Sequence, residues 1–426
     1  VPMLREASSA AYLRPPYDET VMLSADLLAF VTPSEFHPWW GEAARAVADQ
    51  FTSSASERTV FAGFTVLALA AVGAWRARPR SSLWVLNLSA FFLLSLGPYL
   101  HILGQVVAPI PLPYAWLYAL VPLVRITRSV SRFDVMVMLA LAVLAALGLA
   151  ALRHRPRLVA LCAALIAVEF LAVPYPMWRL DVPPFYEQLR REAGDFAVLE
   201  LPINWDRPDP LVYQTVHAHP LVTAYTSRSN PLSIVERTPI LDELRTLQPD
   251  IIVYDTRAIA LSVLSDLDVR YVINHPLTMG AGDERTVTNR VLRQMFGSAP
   301  PIVNEPNLVA YRVPSPDPYR PYLTLGDGWG DVQIVNGKPQ RTITSRADFV
   351  LHARTTQSIP LRIVARTAGE AHVLVSARRT PDFQIEAGEF NVFGYTATEV
   401  LVSGATRYTI AASAPVIIES LELQTP

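Results

Sequence analysis

Cysteine is almost missing. Cys162 is the only one in 426 residues, so no disulfide can close within the chain, and inside an apolar run it reads as a small apolar residue. Charge is scarce as well. Asp, Glu, Lys and Arg make up 17% of residues, against about 25% in soluble domains. A net charge of −2 offers no long-range field to gather nucleic acid. No P-loop, dinucleotide glycine fingerprint or Gly-x-Ser-x-Gly elbow occurs, which leaves nucleotide-binding and serine-hydrolase readings without support. There is no internal repeat and no low-complexity tail. No signal-peptide pattern surrounds Val1-Pro2-Met3-Leu4, and the start reads as an external loop in the carboxy-terminal part of a longer membrane protein.

What the chain does have is hydrophobic length. Apolar residues form 51% of it, and four hydrophobic runs with no charge at their middle lie at Thr59–Trp75, Leu83–Leu103, Phe133–Leu152 and Leu158–Pro174. Each is about 17 to 21 residues, enough for a helix to cross a hydrocarbon layer of about 30 Å. A charge at the centre of such a helix costs roughly 2.5–3.5 kcal/mol, so its absence from all four predicts spans. The competing reading is buried helices of a large soluble protein.

The links between the runs set an orientation. Arg76, Arg78 and Arg80 join the first to the second, and Arg153, Arg155 and Arg157, with His154, join the third to the fourth. Short basic loops stay in the cytoplasm, and the two loops agree. The expected location is a cell inner (plasma) membrane, multi-pass, with most of the chain outside the cytoplasm.

Four regions follow: an external loop at 1–58, a transmembrane helical region at 59–174, an extracytoplasmic α/β domain at 175–314 and a β-sandwich at 322–426. Ile110-Pro111-Leu112-Pro113 leads into Tyr114–Val124, too short to cross, which reads as an interfacial or re-entrant helix. In the α/β domain the pattern predicts helices at Pro184–Ala193, Ile234–Leu247, Ala258–Leu267 and Thr286–Phe296. It predicts strands at Phe196–Leu201, Leu221–Tyr225, Ile251–Tyr254 and Arg270–Asn274, with a hairpin over Ile302–Val313. Past the Pro314–Pro321 link, Leu361–Arg366, His372–Ala377, Glu399–Val402, Tyr408–Ala412 and Val416–Leu423 predict an antiparallel sandwich punctuated by Gly369, Gly388, Gly394 and Gly404.

Among residues that carry chemistry, Arg125, Arg128 and Arg132 stand out. They fall on the expected external side, where arginine is disfavoured, and their spacing places them on one face if the segment is helical. Guanidinium groups take phosphate in a bidentate grip, so the trio can hold a lipid phosphate or pyrophosphate; the plainer reading is snorkelling to anionic headgroups. Asp26, Glu35, Asp134 and Glu169 are carboxylates placed to act as a general base or to hold a divalent cation, the only cofactor suggested. Solvation, or pairing with the arginine face, is the plainer account of each. His217 and His219 would share a strand face, as a metal site requires, but no Cys or acidic partner stands at a recognisable spacing, so hydrogen bonding within the fold is favoured and no metal ligand is assigned. Trp329 either stacks on a sugar ring or closes a sandwich core, and the core reading is favoured.

These segments resemble a family. Ser24-Ala25-Asp26-Leu27-Leu28-Ala29-Phe30-Val31-Thr32-Pro33 with His37-Pro38 resembles an external loop of bacterial multi-spanning GT-C-type (YfhO-like) membrane glycosyltransferases. Ser95-Leu96-Gly97-Pro98, Ile110-Pro111-Leu112-Pro113-Tyr114 and Arg128-Ser129-Val130-Ser131-Arg132-Phe133 are similar to further segments of it. So are Tyr213-Gln214-Thr215-Val216-His217, Thr226-Ser227-Arg228 and Val269-Arg270-Tyr271-Val272-Ile273. The likeness covers most of residues 20–330. It implies transfer of a sugar from a polyprenyl-phosphate donor to an envelope glycan, lipid or protein acceptor on the outer membrane face. In that class the catalytic carboxylate lies in a first external loop that this chain lacks, so the resemblance implies a piece inactive by itself. Arg125, Arg128 and Arg132 would then hold the donor phosphate, and Asp26 or Asp134 a metal or acceptor. The alternative is a non-catalytic membrane-anchored scaffold or glycan-binding protein of the cell envelope. Lipid or glycan transport is a third option, for which the expected repeat is not seen.

Overall fold

A computed structural model describes residues 15–424 apart from 54–56, 59, 109, 176, 178–180, 204–206, 226–233, 368–370, 378–379, 388–391 and 402–403. Thr59, the Thr226–Arg228 segment, Gly369 and Gly388 therefore lie outside the described residues. The chain forms two compact units, Val1–Arg179 and Leu180–Pro426.

In the first unit the apolar runs become helices at Phe64–Arg76, Ser82–Ser95, Asp134–Ala150 and Pro156–Glu169. Three are shorter than expected. Thirteen or fourteen residues at 1.5 Å each give about 20 Å, well short of a bilayer core. Only the third run, continuous over Val130–Ala150 with mean hydropathy 2.4, is long and apolar enough to cross among the described residues. Local chemistry explains the shortening. Gly63, at φ +78, holds Val60–Ala62 out of the first helix, and Ala62 N–H instead bonds to Phe30 C=O. Gly97, at φ +75, turns the chain after the second helix. The rest of that run enters a hairpin of β1 (Leu100–Ile102) and β2 (Gln105–Ala108). A short helix occupies Pro113–Leu120, with proline at its first turn.

Packing in this unit centres on Ala25, Ala29, Phe30, Ala70, Val137, Leu141 and Leu144. Outside it, Leu83, Leu86, Val135, Leu139, Leu161 and Leu165 are exposed. Leucine is thus both inside and outside these helices, an arrangement that water penalises and lipid does not.

In the second unit, β3 (Ala197–Leu201) pairs in parallel with β5 (Val269–Asn274), which pairs antiparallel with β7 (Val309–Arg312) and through it with β6 (Val303–Asn304). Alternation along the strands divides the core into two faces. Leu199, Leu201 and Val272 meet the helices Leu241–Thr246, Thr256–Asp266 and Asp283–Phe296. Val198, Tyr271 and Ile273 meet Phe185–Arg190 and Asp209–His217.

Four expectations need correction. Ile234–Leu247 is two helices, because Pro239 and Ile240 (φ 73) interrupt it. Leu221–Tyr225 is reduced to a single bridge from Leu221 to Val198. The Ile251–Tyr254 strand exists as β4 (Ile252–Val253), but it joins the sandwich by pairing with β17 (Val416–Leu423). His217 and His219 are not alternating strand residues. His217 ends a helix and Ala218, at φ 63, reverses the chain before His219.

The sandwich has two sheets. One runs β15 (Val392–Leu401), β12 (Gln357–Arg366), β17, β10 (Lys338–Ile343), β9 (Gln333–Val335), with β4 added on β17. The other runs β14 (Thr380–Ala387), β13 (Ala371–Ala377), β16 (Gly404–Ala412), β11 (Arg346–Ala353), β8 (Tyr322–Leu325). Alternate side chains turn inward, so that Leu361, Ile363 and Ile418 from the first sheet close on Phe349, Leu351, Val373 and Ile410 from the second. Trp329 packs against this core and donates its indole N–H to Asp348 C=O at 2.6 Å. The core reading of that tryptophan holds.

Candidate functional site

The three arginines of the first unit have three different partners. Arg125 donates to the Tyr118 and Ala119 carbonyls, both at 3.0 Å, and so caps the Pro113–Leu120 helix at its negative end. Arg128 pairs with Glu19 at 2.5 Å. Arg132 pairs with Glu57 at 2.7 Å, and Ser131 Oγ donates to the same carboxylate at 2.9 Å. Burial raises the Glu57 pKa, but hydrogen bonds from Arg132 and Ser131 outweigh it and hold the group below the usual carboxylate range. The Arg132 side chain is nonetheless 72% exposed.

The acidic candidates are largely engaged in holding the fold. Asp26 is buried, and its two oxygens accept from Leu28 N–H at 2.9 Å and Gly104 N–H at 2.8 Å. It caps a turn and ties it to the β1–β2 hairpin. Glu35 pairs with Arg45 and Arg58. Glu169 accepts from Thr65 N–H at 3.0 Å and from Thr65 Oγ1 at 2.6 Å, satisfying the positive end of the Phe64–Arg76 helix. Asp134, half-buried, opens the Asp134–Ala150 helix, where its charge suits the dipole. Among the described residues no group of three or more His, Cys, Asp or Glu side chains is placed to hold a metal ion.

A second polar cluster lies under the α/β sheet. Because side chains alternate, Glu200 on β3 faces the two helices that carry Tyr186 and Tyr213. Tyr186 Oη lies 2.9 and 3.1 Å from its oxygens, and His275 Nε2 lies 2.8 Å away. Tyr213 stacks on Tyr186 at 4.6 Å, and His217 stacks on the same ring at 5.6 Å. His219 continues the column onto Phe196 at 3.8 Å, and Arg270 lies over that ring at 3.9 Å. The cluster stands at the carboxyl ends of two parallel strands, where open α/β sheets hold ligands. Here, however, Tyr186, Glu200, His217 and His275 are all buried, so the cluster organises the core.

An open cleft of about 790 Å³ in the second unit is the candidate functional site. It lies between the end of the Thr256–Asp266 helix and the sheet containing β8, β11 and β16. Asp266 anchors it. Tyr319 Oη donates to its carboxylate at 2.6 Å, Tyr322 Oη at 3.1 Å and Arg354 at 3.1 Å. The Arg354 guanidinium also lies over the Tyr319 ring at 4.7 Å. His352 stacks on Tyr322 at 4.5 Å and shares a 2.9 Å hydrogen bond with Thr324, and burial lowers its pKa, so it adds no charge near neutrality. Burial, then Asp266, raises both tyrosine pKa values, which keeps the hydroxyls protonated as donors. Arg237 and Arg407 complete the polar wall.

No motif in the sequence marks this site, since its residues come from separated elements. Glu200 was discernible in principle: a carboxylate within the apolar strand Ala197–Leu201 must find a partner when buried. Neither a protein-family profile nor a curated protein sequence matches the chain. Parts of it are similar to solved structures. A carbohydrate-binding module of Cellvibrio mixtus lichenase 5A with cellotriose shares 10% identity at a TM-score of 0.19, over 24% of this chain and 88% of that one. A family 35 carbohydrate-binding module from an environmental isolate shares 12% at 0.20, over 24% and 93%. A Bacillus thuringiensis Cry1Da tryptic core variant shares 14% at 0.21, over 29% of each chain. At such scores likeness carries no functional weight.

Proposed function

We propose that the chain is a membrane-held, non-catalytic part of a cell-envelope protein whose Leu180–Pro426 unit binds a glycan. The observation that carries this reading is the open cleft. Its volume lies within the range of small-ligand sites, and tyrosine, arginine and aspartate side chains line it beside Ile234, Leu267, Leu325 and Val350. Sugars present hydroxyls to such donors and acceptors and C–H faces to aromatic rings. The membrane half of the proposal is supported by the Val130–Ala150 helix and by leucines exposed on its neighbours. The arginine links at residues 76–80 and 153–157 favour a plasma-membrane orientation with the cleft outside the cytoplasm.

Sugar transfer from a polyprenyl-phosphate donor is the second reading, resting on the resemblance. The observation on its side is the exposure of Arg132 while it is paired, which leaves a guanidinium edge open to a lipid phosphate. Asp26, with both oxygens taken by backbone amides, is a poor base for it.

The test is direct binding of neutral and acidic tetrasaccharides to the full chain in nanodiscs, by calorimetry. Binding weakened by Tyr319→Ala, with the thermal transition retained, is expected. Absence of binding by every oligosaccharide would remove the reading.

A further inference from the structure

The walls of the cleft are not neutral. Arg237, Arg354 and Arg407 face it, against a single carboxylate among the described residues, Asp266. The acids that hold Arg237 and Arg407 stand outside the lining: Asp327 lies 2.5 Å from Arg237, and Asp348 lies 3.9 Å from Arg407. Each therefore steadies its arginine from outside. Asp266 offsets one of the three positive charges, and two tyrosine hydroxyls and Arg354 converge on it. Its effect is to fix Arg354. That guanidinium is held by Asp266 and by Ser265 Oγ at 2.8 Å, with the Tyr319 ring against its face, while the side chain stays 51% exposed. A planar guanidinium held this way is preorganised for an incoming anion and loses little freedom on binding. Arg407, 66% exposed and only loosely paired, can swing to the same anion.

We infer that the ligand of this cleft is an anionic glycan, a sugar chain bearing carboxylate or phosphate, whose charged group is taken by Arg354 and Arg407 beside Tyr319. This rests on the glycan reading above and goes beyond it by fixing the charge of the sugar. Two charge-assisted hydrogen bonds from arginine set the anionic chain about ten-fold above a neutral one of equal length. Part of that preference is lost in high salt, since the cleft is open.

The experiment uses the full chain in nanodiscs and four probes: a uronic-acid tetrasaccharide, a sugar-phosphate tetrasaccharide, a neutral glucan tetrasaccharide and inorganic phosphate. The expected result is that one of the two charged chains binds about ten-fold tighter than the neutral one. Arg354→Gln should weaken the charged chain more than the neutral one and so bring the two together. Arg407→Gln, at a more exposed position, gives the same comparison should Arg354→Gln fail to fold. Equal binding of charged and neutral chains overturns the anionic assignment and leaves glycan binding standing. Inorganic phosphate binding as tightly as the sugar phosphate overturns the glycan requirement and points to a free-anion site. No binding of any chain overturns both.

Discussion

Gly73 and Gly148 sit against each other's helices where Phe64–Arg76 and Asp134–Ala150 pack together. A Cβ on Gly73 would strike the Leu144 carbonyl oxygen, and one on Gly148 would strike that of Leu69. Backbone approach of this kind is how apolar helices pack where lipid, not water, is the alternative solvent. Neither glycine can gain a side chain without moving a helix, because the obstructing atoms are backbone. Gly73→Val is expected to cost about 2–4 kcal/mol and to lower the thermal transition in nanodiscs, whereas the exposed Leu86→Val costs little. Equal transitions for Gly73→Val and the parent chain would show that the crossing is looser than described.

Asp242 gives a pH signature in the second unit. Burial first, and then the neighbouring Asp250 charge, push its pKa up to about 7 from 3.8, although Arg341 opposes them. A raised carboxyl pKa means that the folded state holds a proton which the unfolded chain releases. That contribution to stability is full below pH 3.8 and is lost as pH rises through 7. Asp242→Asn should therefore match the parent near pH 4 and exceed it at pH 8 by about 2–4 kcal/mol. Denaturant titrations at the two pH values measure it; a constant difference between them would contradict the assignment.

His217 acts at the opposite end of the range. Burial, with a smaller contribution from His219, lowers its pKa from 6.5 to about 4, and its Nε2 has no hydrogen-bond partner among the described residues. The folded state therefore keeps the ring neutral, and stability present above pH 6.5 declines as pH falls towards 4. The loss attributable to this residue is on the order of 3 kcal/mol. His217→Asn should flatten the decline between those values, read as the unfolding midpoint against pH. An unchanged slope would place the acid sensitivity elsewhere.

The adjoining Tyr186–Glu200 contact is buried and is expected to act on stability. Tyr186→Phe withdraws a donor from a buried carboxylate that also bonds to His275, and should cost about 1–3 kcal/mol. Glycan affinity measured on the variant that remains folded should not change. A selective loss of binding would instead make the cluster part of the site.

Much of the architecture could be read from periodicity. Val269–Asn274, Asp283–Phe296 and the Val303–Arg312 hairpin fall where apolar spacing puts them. The run from Leu83 to Leu103 shows the limit. Hydropathy continues through it, yet Gly97 ends the helix, and the residues beyond form a hairpin. His217 shows another, since the helix at Asp209–His217 contains too few apolar residues to reveal its period. The cleft was least legible. Asp266, Tyr319 and Arg354 meet only because the α/β part and the sandwich fold into one unit, and no local spacing encodes that meeting. Arg128 and Arg132 were visible as residues, but not their partners: Glu19 and Glu57 are far from them in sequence.

The most direct test of the central claim is calorimetric titration of a uronic-acid or sugar-phosphate tetrasaccharide into the full chain, beside Tyr319→Ala and Arg354→Gln. Saturable binding to the parent chain is expected, weakened about ten-fold by either substitution, with thermal transitions preserved. Saturable binding that neither substitution alters would place the ligand elsewhere on the molecule and contradict the assignment of this cleft.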